Sequence, residues 1–334
     1  MSPGAAGGSD PLDLLTRYQH SAIVAAAVRT GVADEIAHEA RGAEEIATAR
    51  GLHAPSVRKL LGAMVALGLA QADGGGHRLT EAAAELAGDH PRTLARIVEK
   101  EWYFYTAWSG LDDAVRDGHA RIAPWRERLA ADPLQSERFL EALDDLAARF
   151  GGELPALAGL GRGGTLLDVG GGAGSHAAYL AASVPGLEPT VLDLPAVEPV
   201  TRARHPELPF VAGDLELPRF GRPDGETWDA VLLANILHDH PPGTCARIVA
   251  EAASLLGPGG TLLVYEWVLD DCRDSPADVA LFALMMLVEN DGGASYTGGE
   301  ISGWLTDAGL CEVEIRRGAG PIAVVSGTAP GASQ

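Results

Sequence analysis

The feature that most narrows the fold of this 334-residue chain is a change of texture after Gly151. Short apolar runs of β type (TLLDVG, PTVLDL, FVAGD, WDAVLLAN, TLLVYEWV) alternate from there with helical stretches such as HAAYLAASV and residues 243–256. Strands of one kind separated by helices are joined by right-handed crossovers, which place helices on both faces of a parallel sheet. A doubly wound α/β sheet is the consequence. The ending breaks the pattern: CEVEIRR and PIAVVSG are separated only by a GAG tip, which suits an antiparallel hairpin and is too short for a crossover.

The first half reads differently. Between Pro11 and Ala37 apolar residues recur at helical spacing (Leu12, Leu15, Ile23, Val24, Val28, Val32, Ile36), as in helices that pack one face. Two amphipathic segments follow, 42–52 and 54–69, separated by Gly51, and QADGGGHRLT carries the glycine-rich tip of a small hairpin. Together they spell a winged helix-turn-helix. Its segment 54–69 holds only Arg58 and Lys59 as basic residues, and the chain carries 46 acidic against 25 basic side chains, a formal charge of -21. A phosphate backbone or an anionic membrane would be repelled, so a scaffold or dimerisation module is expected and not a DNA reader. Residues 81–150 read as all helical, with an aromatic cluster at Trp102, Tyr103, Phe104, Tyr105 and Trp108 that serves equally as helix core or as the wall of a substrate pocket. The expected division is 11–150 and 151–328.

Residues 1–10 read as a loose tail without the basic and apolar regions of a leader, and GTAPGASQ as a disordered end. No apolar run approaches the ~20 residues of a membrane helix. Three scattered cysteines, Cys245, Cys272 and Cys311, suit a reducing, cytoplasmic compartment and form neither a disulfide frame nor a zinc cluster.

Chemistry concentrates at the strand ends. In LLDVGGGAGS, Gly170, Gly172 and Gly174 let a βα turn approach a ligand closely, and Asp168 stands in front of them. Ser175 holds the place where a dinucleotide fingerprint wants its third glycine, so the spacing suits a ligand bearing a carboxylate and an amino group better than a pyrophosphate. Asp193, ending the second strand, is placed to accept ribose hydroxyls, as acids in NAD enzymes also are. Asp214, after the third strand, serves either as acceptor for an exocyclic adenine amine or as a helix N-cap. LLANILHDHPP sets Asn235, His238, Asp239 and His240 at the carboxyl edge, where open α/β sheets bind ligands. An imidazole is the natural base near neutral pH, which favours His238 as catalyst over a structural histidine or a His-x-His metal site with Asp239. Glu266, ending the fifth strand, is either the carboxylate that orients His238 or a solvated strand-end acid.

These strings, LLDVGGGAGS, VLDLP, the LHD step, LGPGGTLLVYE and ALFALMMLVENDGG, resemble the two-domain S-adenosylmethionine-dependent O-methyltransferases, which include plant caffeate-type enzymes, acetylserotonin O-methyltransferase and bacterial natural-product tailoring enzymes. The similarity spans nearly the whole chain. It implies a Rossmann-like domain with a mixed seven-stranded sheet, behind a mostly helical winged-helix domain that forms a homodimer. It implies S-adenosyl-L-methionine as cofactor, with Gly170, Asp193, Leu194, Asp214 and Leu215 in contact, His238 as general base and Glu266 as one of its flanking acids. Met286 and Asn290 fall where that family lines its acceptor pocket. Three positions depart from the plant pattern: His240 replaces a tryptophan, Ser295 a second flanking glutamate, and Ala234 a lysine.

The sequence therefore predicts methyl transfer to a hydroxyl of a small aromatic or polyketide-like molecule, with no metal. His238, Asp239 and Glu266 are the expected catalytic residues. Asp168, Gly170, Gly172, Gly174, Asp193, Leu194, Asp214, Leu215 and Asn235 are expected at the cofactor, and Trp102, Tyr105, Trp108, Met285, Met286 and Asn290 at the acceptor, with Phe282 beside the methionines. The alternatives are carbon or nitrogen methylation, a non-methylating homologue, and a winged-helix ligand-sensing regulator.

Overall fold

The structure, a computed structural model, describes residues 10–161 and 163–331; of the tail expected at residues 1–10 only Asp10, which caps the first helix, is among them, and the last three residues lie outside. Two compact units divide between Tyr103 and Phe104. That is well before the division expected at residue 150, because the helices between them belong to the second unit: the Arg121 amide donates to the Val288 carbonyl at 2.7 Å, and Arg204 pairs with Asp144 and Asp145.

The first unit begins with helices Pro11–Thr16, Tyr18–Arg29 and Val32–Glu35. The chain breaks at Arg17, so Leu12 and Leu15 do not share the packed face of Ile23, Val24 and Val28; they are 67% and 71% exposed. Helices Ala43–Arg50 and Ala54–Ala66 follow, joined through Gly51, whose left-handed φ of 65° ends the first of them. Strands β1 (Ala70–Asp73) and β2 (Gly76–Leu79) then pair antiparallel around Gly74 and Gly75, and Arg41 bridges to His77 beside them. Ile36, Ile46, Leu61 and Met64 are fully buried at the centre of this unit. On Ala54–Ala66, Arg58 is already paired with Glu44, which further weakens an anion-binding reading of that helix.

The second unit is built on strands β3 (Gly164–Val169), β4 (Leu187–Asp193), β5 (Phe210–Ala212), β6 (Trp228–Ala234), β7 (Leu256–Leu269), β8 (Tyr296–Thr297), β9 (Cys311–Arg317) and β10 (Ile322–Thr328). Their order among the described residues is β5-β4-β3-β6-β7-β10-β9, the expected seven, with short β8 added to the far end of β7. β3 to β7 are parallel, and β10 enters antiparallel between β7 and β9. Gly327 and Thr328, expected in a disordered tail, instead complete β10 because they pair with β7. Leu166, Leu167, Val231, Leu232, Leu262 and Leu263 are fully buried, as strands covered on both faces require. Since β4 lies on one side of β3 and β6 on the other, the order reverses at β3, which opens a crevice at the carboxyl ends of these strands.

A polar knot ties the glycine turn after β3 to the preceding helices. Ser175, first residue of helix Ser175–Ser183, donates to Asp144 on helix Pro133–Phe150, and Asp144 also holds Arg204 and, at 3.1 Å, His205. Burial works against the ionised Asp144, but the bonds from His205 and Ser175 and the charge of Arg204 outweigh it and hold its carboxyl at about 2. A carboxyl depressed in the fold stabilises above its unfolded value, and that contribution is lost as pH falls through the folded one. Asp144→Ala is expected to lower unfolding free energy at pH 7 by about 2–3 kcal/mol, because Ser175 loses its partner and Arg204 keeps only Asp145. Urea melts of the two proteins should converge between about pH 4 and pH 2; a difference below about 0.5 kcal/mol at pH 7 would contradict the account.

Candidate functional site

The turn after β3 owes its path to glycine: Gly170, Gly172 and Gly174 have φ of 69°, 55° and 96°, where a side chain is strained. The turn presents its amides inward to β4. Gly172 N–H donates to one oxygen of Asp193 at 2.9 Å and Leu194 N–H to the other at 2.7 Å. Burial nonetheless pushes the Asp193 carboxyl up to about 6, the two amide bonds and Arg126 offsetting part of it. Asp168 lies wholly buried beneath Gly171, and neither of its oxygens has a hydrogen-bond partner of ordinary geometry. Burial, reinforced by the charge of Asp193, raises it to about 7. Asn235, just after β6, has a left-handed φ of 55°; its backbone N–H donates to the Tyr265 carbonyl, and its Oδ1 is also buried without a partner. Asp214 follows β5; burial opposes its charge, but a hydrogen bond from Arg126 brings its carboxyl below the usual range. A cradle of glycine backbone with unmet acceptors at Asp168 and Asn235 fits a ligand that brings its own donors, as the ammonium and hydroxyls of S-adenosylmethionine do.

The second half of the site is a single turn, Leu237–Asp239, after β6. Glu266 on β7 is fully buried, and each of its oxygens is satisfied: Oε2 accepts from Leu237 N at 3.1 Å and Oε1 from Trp267 N at 2.9 Å. The same Oε1 meets His238 Nδ1 at 2.6 Å. A carboxylate there assigns the proton to Nδ1 and leaves Nε2 as the basic nitrogen. Asp239 Oδ1 stands 3.6 Å from Nε2 and is itself held by Asn290 Nδ2 at 2.7 Å. Burial works against a charged imidazole, but Glu266, Asp239 and Glu289 outweigh it and raise His238 to about 9. His240 moves the other way, lowered chiefly by burial.

Aromatic faces complete this end. Phe282, on helix Ala277–Glu289, meets the His238 ring edge-on at 4.9 Å and stacks on Trp267 at 4.7 Å. Met286 is buried on that helix and Met285 half-buried.

The structure thus gathers Asp168, Gly170, Gly172, Gly174, Asp193 and Leu194 around one turn, and His238, Asp239, Glu266 and Asn290 around another. Trp102 falls in the first unit, where the Arg29 guanidinium lies 5.1 Å from its ring centroid; Tyr105 and Trp108 follow on the same helix, Ala95–Trp108, in the second unit. Phe104 is core, packed edge-on against Phe139 at 6.0 Å. Sequence reasoning missed Arg126 on Asp214, the buried pair of Arg128 and Glu289 at 3.1 Å, and the stack of Trp267 on Phe282. The ion pairs join residues far apart in the chain and have no local signature. Ser295 is buried, and its hydroxyl has no partner. Among the described residues no group of three or more His, Cys, Asp or Glu side chains converges to hold a metal, and no helix is long and apolar enough to cross a membrane.

Residues 108–311 match the O-methyltransferase domain family. Over 96% of its length the chain is 32% identical to 3-hydroxy-5-methyl-1-naphthoate 3-O-methyltransferase of Streptomyces sahachiroi, covering 97% of that protein. An O-methyltransferase family protein from Burkholderia thailandensis superposes with a TM-score of 0.86 at 26% identity, over 98% of this chain and all of that one. NcsB1 from neocarzinostatin biosynthesis, solved with S-adenosylmethionine and 2-hydroxy-5-methyl naphthoic acid, superposes with a TM-score of 0.78 at 27% identity, over 97% of this chain and all of that one.

An imidazole raised by its neighbours stabilises the fold fully below about pH 6.5 and loses that contribution as pH rises through the folded value. His238 is therefore expected to titrate well above the ordinary imidazole range in ligand-free protein, and Glu266→Gln to move its midpoint acidward by more than about one unit. Nitrogen NMR of labelled histidine reads both; a midpoint at or below about 6.5 in the parent protein would refute the electrostatic account.

Proposed function

Because the chain belongs to the O-methyltransferase domain family and is an S-adenosylmethionine-dependent enzyme, we propose that it methylates a phenolic hydroxyl of a naphthoate- or polyketide-type aromatic acceptor, with His238 as general base. The observation that carries this reading is the buried Glu266 clamp, which holds Nδ1 of His238 and so makes Nε2 the nitrogen that gains and loses a proton. Bound S-adenosylmethionine supplies a methyl group already activated on a cationic sulfur. The chain's own task is then to align the acceptor, exclude water and take one proton. Once its imidazole has given up the second proton that its acidic neighbours favour, His238 Nε2 removes the acceptor's proton as the oxygen becomes nucleophilic, and Glu266 stabilises the imidazolium that results. Asp239 adds a second carboxylate on the Nε2 side. Asp168, the glycine turn, Asp193, Leu194, Asp214, Leu215 and Asn235 hold the cofactor in this reading.

A flat apolar acceptor is supported by the stacked rings of Trp267 and Phe282 and by Met285 and Met286, since rings and thioethers suit aromatic faces. Two of the similar proteins carry naphthoate chemistry in their names or bound ligands. The same proposal makes the first unit a winged-helix dimerisation module of a cytoplasmic enzyme. Its support is the exposed apolar set Leu12, Leu14, Leu15 and Tyr18, ready for burial against a second copy.

His238→Ala is expected to lower kcat by about 10²- to 10⁴-fold on a hydroxynaphthoate acceptor while binding S-adenosylhomocysteine within about threefold of the parent, as calorimetry would read. Turnover within about tenfold of the parent would rule out His238 as the base. Leu12→Glu combined with Leu15→Glu is expected to convert a dimer to a monomer in light scattering; an unchanged mass would remove the dimer proposal.

A further inference from the structure

Asp214 is served unevenly. Its Oδ1 receives both the Arg126 guanidinium and, at 2.8 Å, the amide of Glu216, whereas no donor among the described residues reaches Oδ2. Arg126 also meets the Glu216 carboxylate at 3.2 Å, so two acids share its planar head. This arginine is not on a loose loop. It sits on helix Trp125–Ala131, and two residues on Arg128 pins that helix by its buried pair with Glu289 and by lying 5.3 Å from the ring centroids of Trp125 and of Phe139. Arg126, Leu129 and Ala130 form one wall of a groove of about 310 Å³ whose other wall is Leu194, Pro195 and Ala196, directly after Asp193. An apolar slot bordered by one acid for hydroxyls and another with a vacant oxygen matches a purine nucleoside.

We propose that Arg126 is a positioning residue for the purine end of the cofactor: by occupying Oδ1 of Asp214 it reserves Oδ2 as the acceptor for the exocyclic amine. The inference rests on the reading of the crevice as the S-adenosylmethionine site. A solvent-facing ion pair alone contributes little, and Arg126 is 43% exposed, so a purely structural bridge would leave ligand choice untouched. An orienting role instead appears in discrimination at the purine edge, where S-inosylhomocysteine offers a carbonyl in place of the amine.

Calorimetry on the full chain with S-adenosylhomocysteine and S-inosylhomocysteine tests this with Arg126→Met, Arg126→Lys, Asp214→Asn and the Met/Asn double variant. Arg126→Met is expected to weaken S-adenosylhomocysteine about three- to tenfold and to shrink the preference over the inosyl analogue by at least about threefold, with Arg126→Lys intermediate. The double variant should match Asp214→Asn alone, since both act through one carboxylate. Affinity within about 1.5-fold of the parent with preference unchanged, tighter binding by Arg126→Met, or additive losses in the double variant would each overturn the proposal. Failure of the parent protein to bind S-adenosylhomocysteine would instead overturn the site reading on which it rests.

Discussion

A carboxylate with no solvent access persists in this sheet only because every charge-stabilising bond around Glu266 is made at once. The backbone amides of Leu237 and Trp267 and the imidazole of His238 converge on it, from two successive chain positions and one neighbouring strand residue. The arrangement fixes more than a side chain. It determines where the chain turns after β6, which nitrogen of His238 faces away from Glu266, and where Phe282 and Asp239 stand beside that ring. Removing the negative charge would loosen the turn and the basicity of the imidazole together, so the reactive end has one electrostatic keystone.

Much of this was legible in the chain because it is written locally. The glycine turn announces itself by composition, β3, β4 and β6 by apolar runs, and the β9–β10 hairpin by a connection too short for a crossover. His238 and Glu266 stand at strand ends, and strand ends can be located from periodicity. What stayed hidden depends on where distant segments meet. Arg126 and Asp214 are 88 positions apart, and Arg128 and Glu289 are 161 apart. No spacing rule links them. The division of the chain failed for the same reason: residues 104–150 read as helices, but the sheet-side partners that claim them lie beyond residue 170. Leu12 and Leu15 were misplaced because the break at Arg17 interrupts a pattern that looks continuous in sequence.

The departures from the plant pattern have structural expression. Ser295 leaves a buried hydroxyl without a partner where the plant pattern has a second acid, while Glu289 supplies a buried negative charge that acts on His238 from a different position. Ala234 is simply buried at the end of β6, with no charge to place. Burial lowers His240 while the acids around His238 raise it, so the two imidazoles of this turn are shifted in opposite directions. The local electrostatics are thus redistributed, and the single tautomer-fixing contact is retained.

The buried carboxyl of Asp168 carries a thermodynamic signature of its own. Burial and the charge of Asp193 favour its protonated form when no cation is near it. A ligand that delivers an ammonium group to it favours the ionised form and expels hydrogen ions into the medium. Association would then change apparent heat with the ionisation enthalpy of the chosen buffer, and would strengthen as the solution is made more alkaline through neutrality.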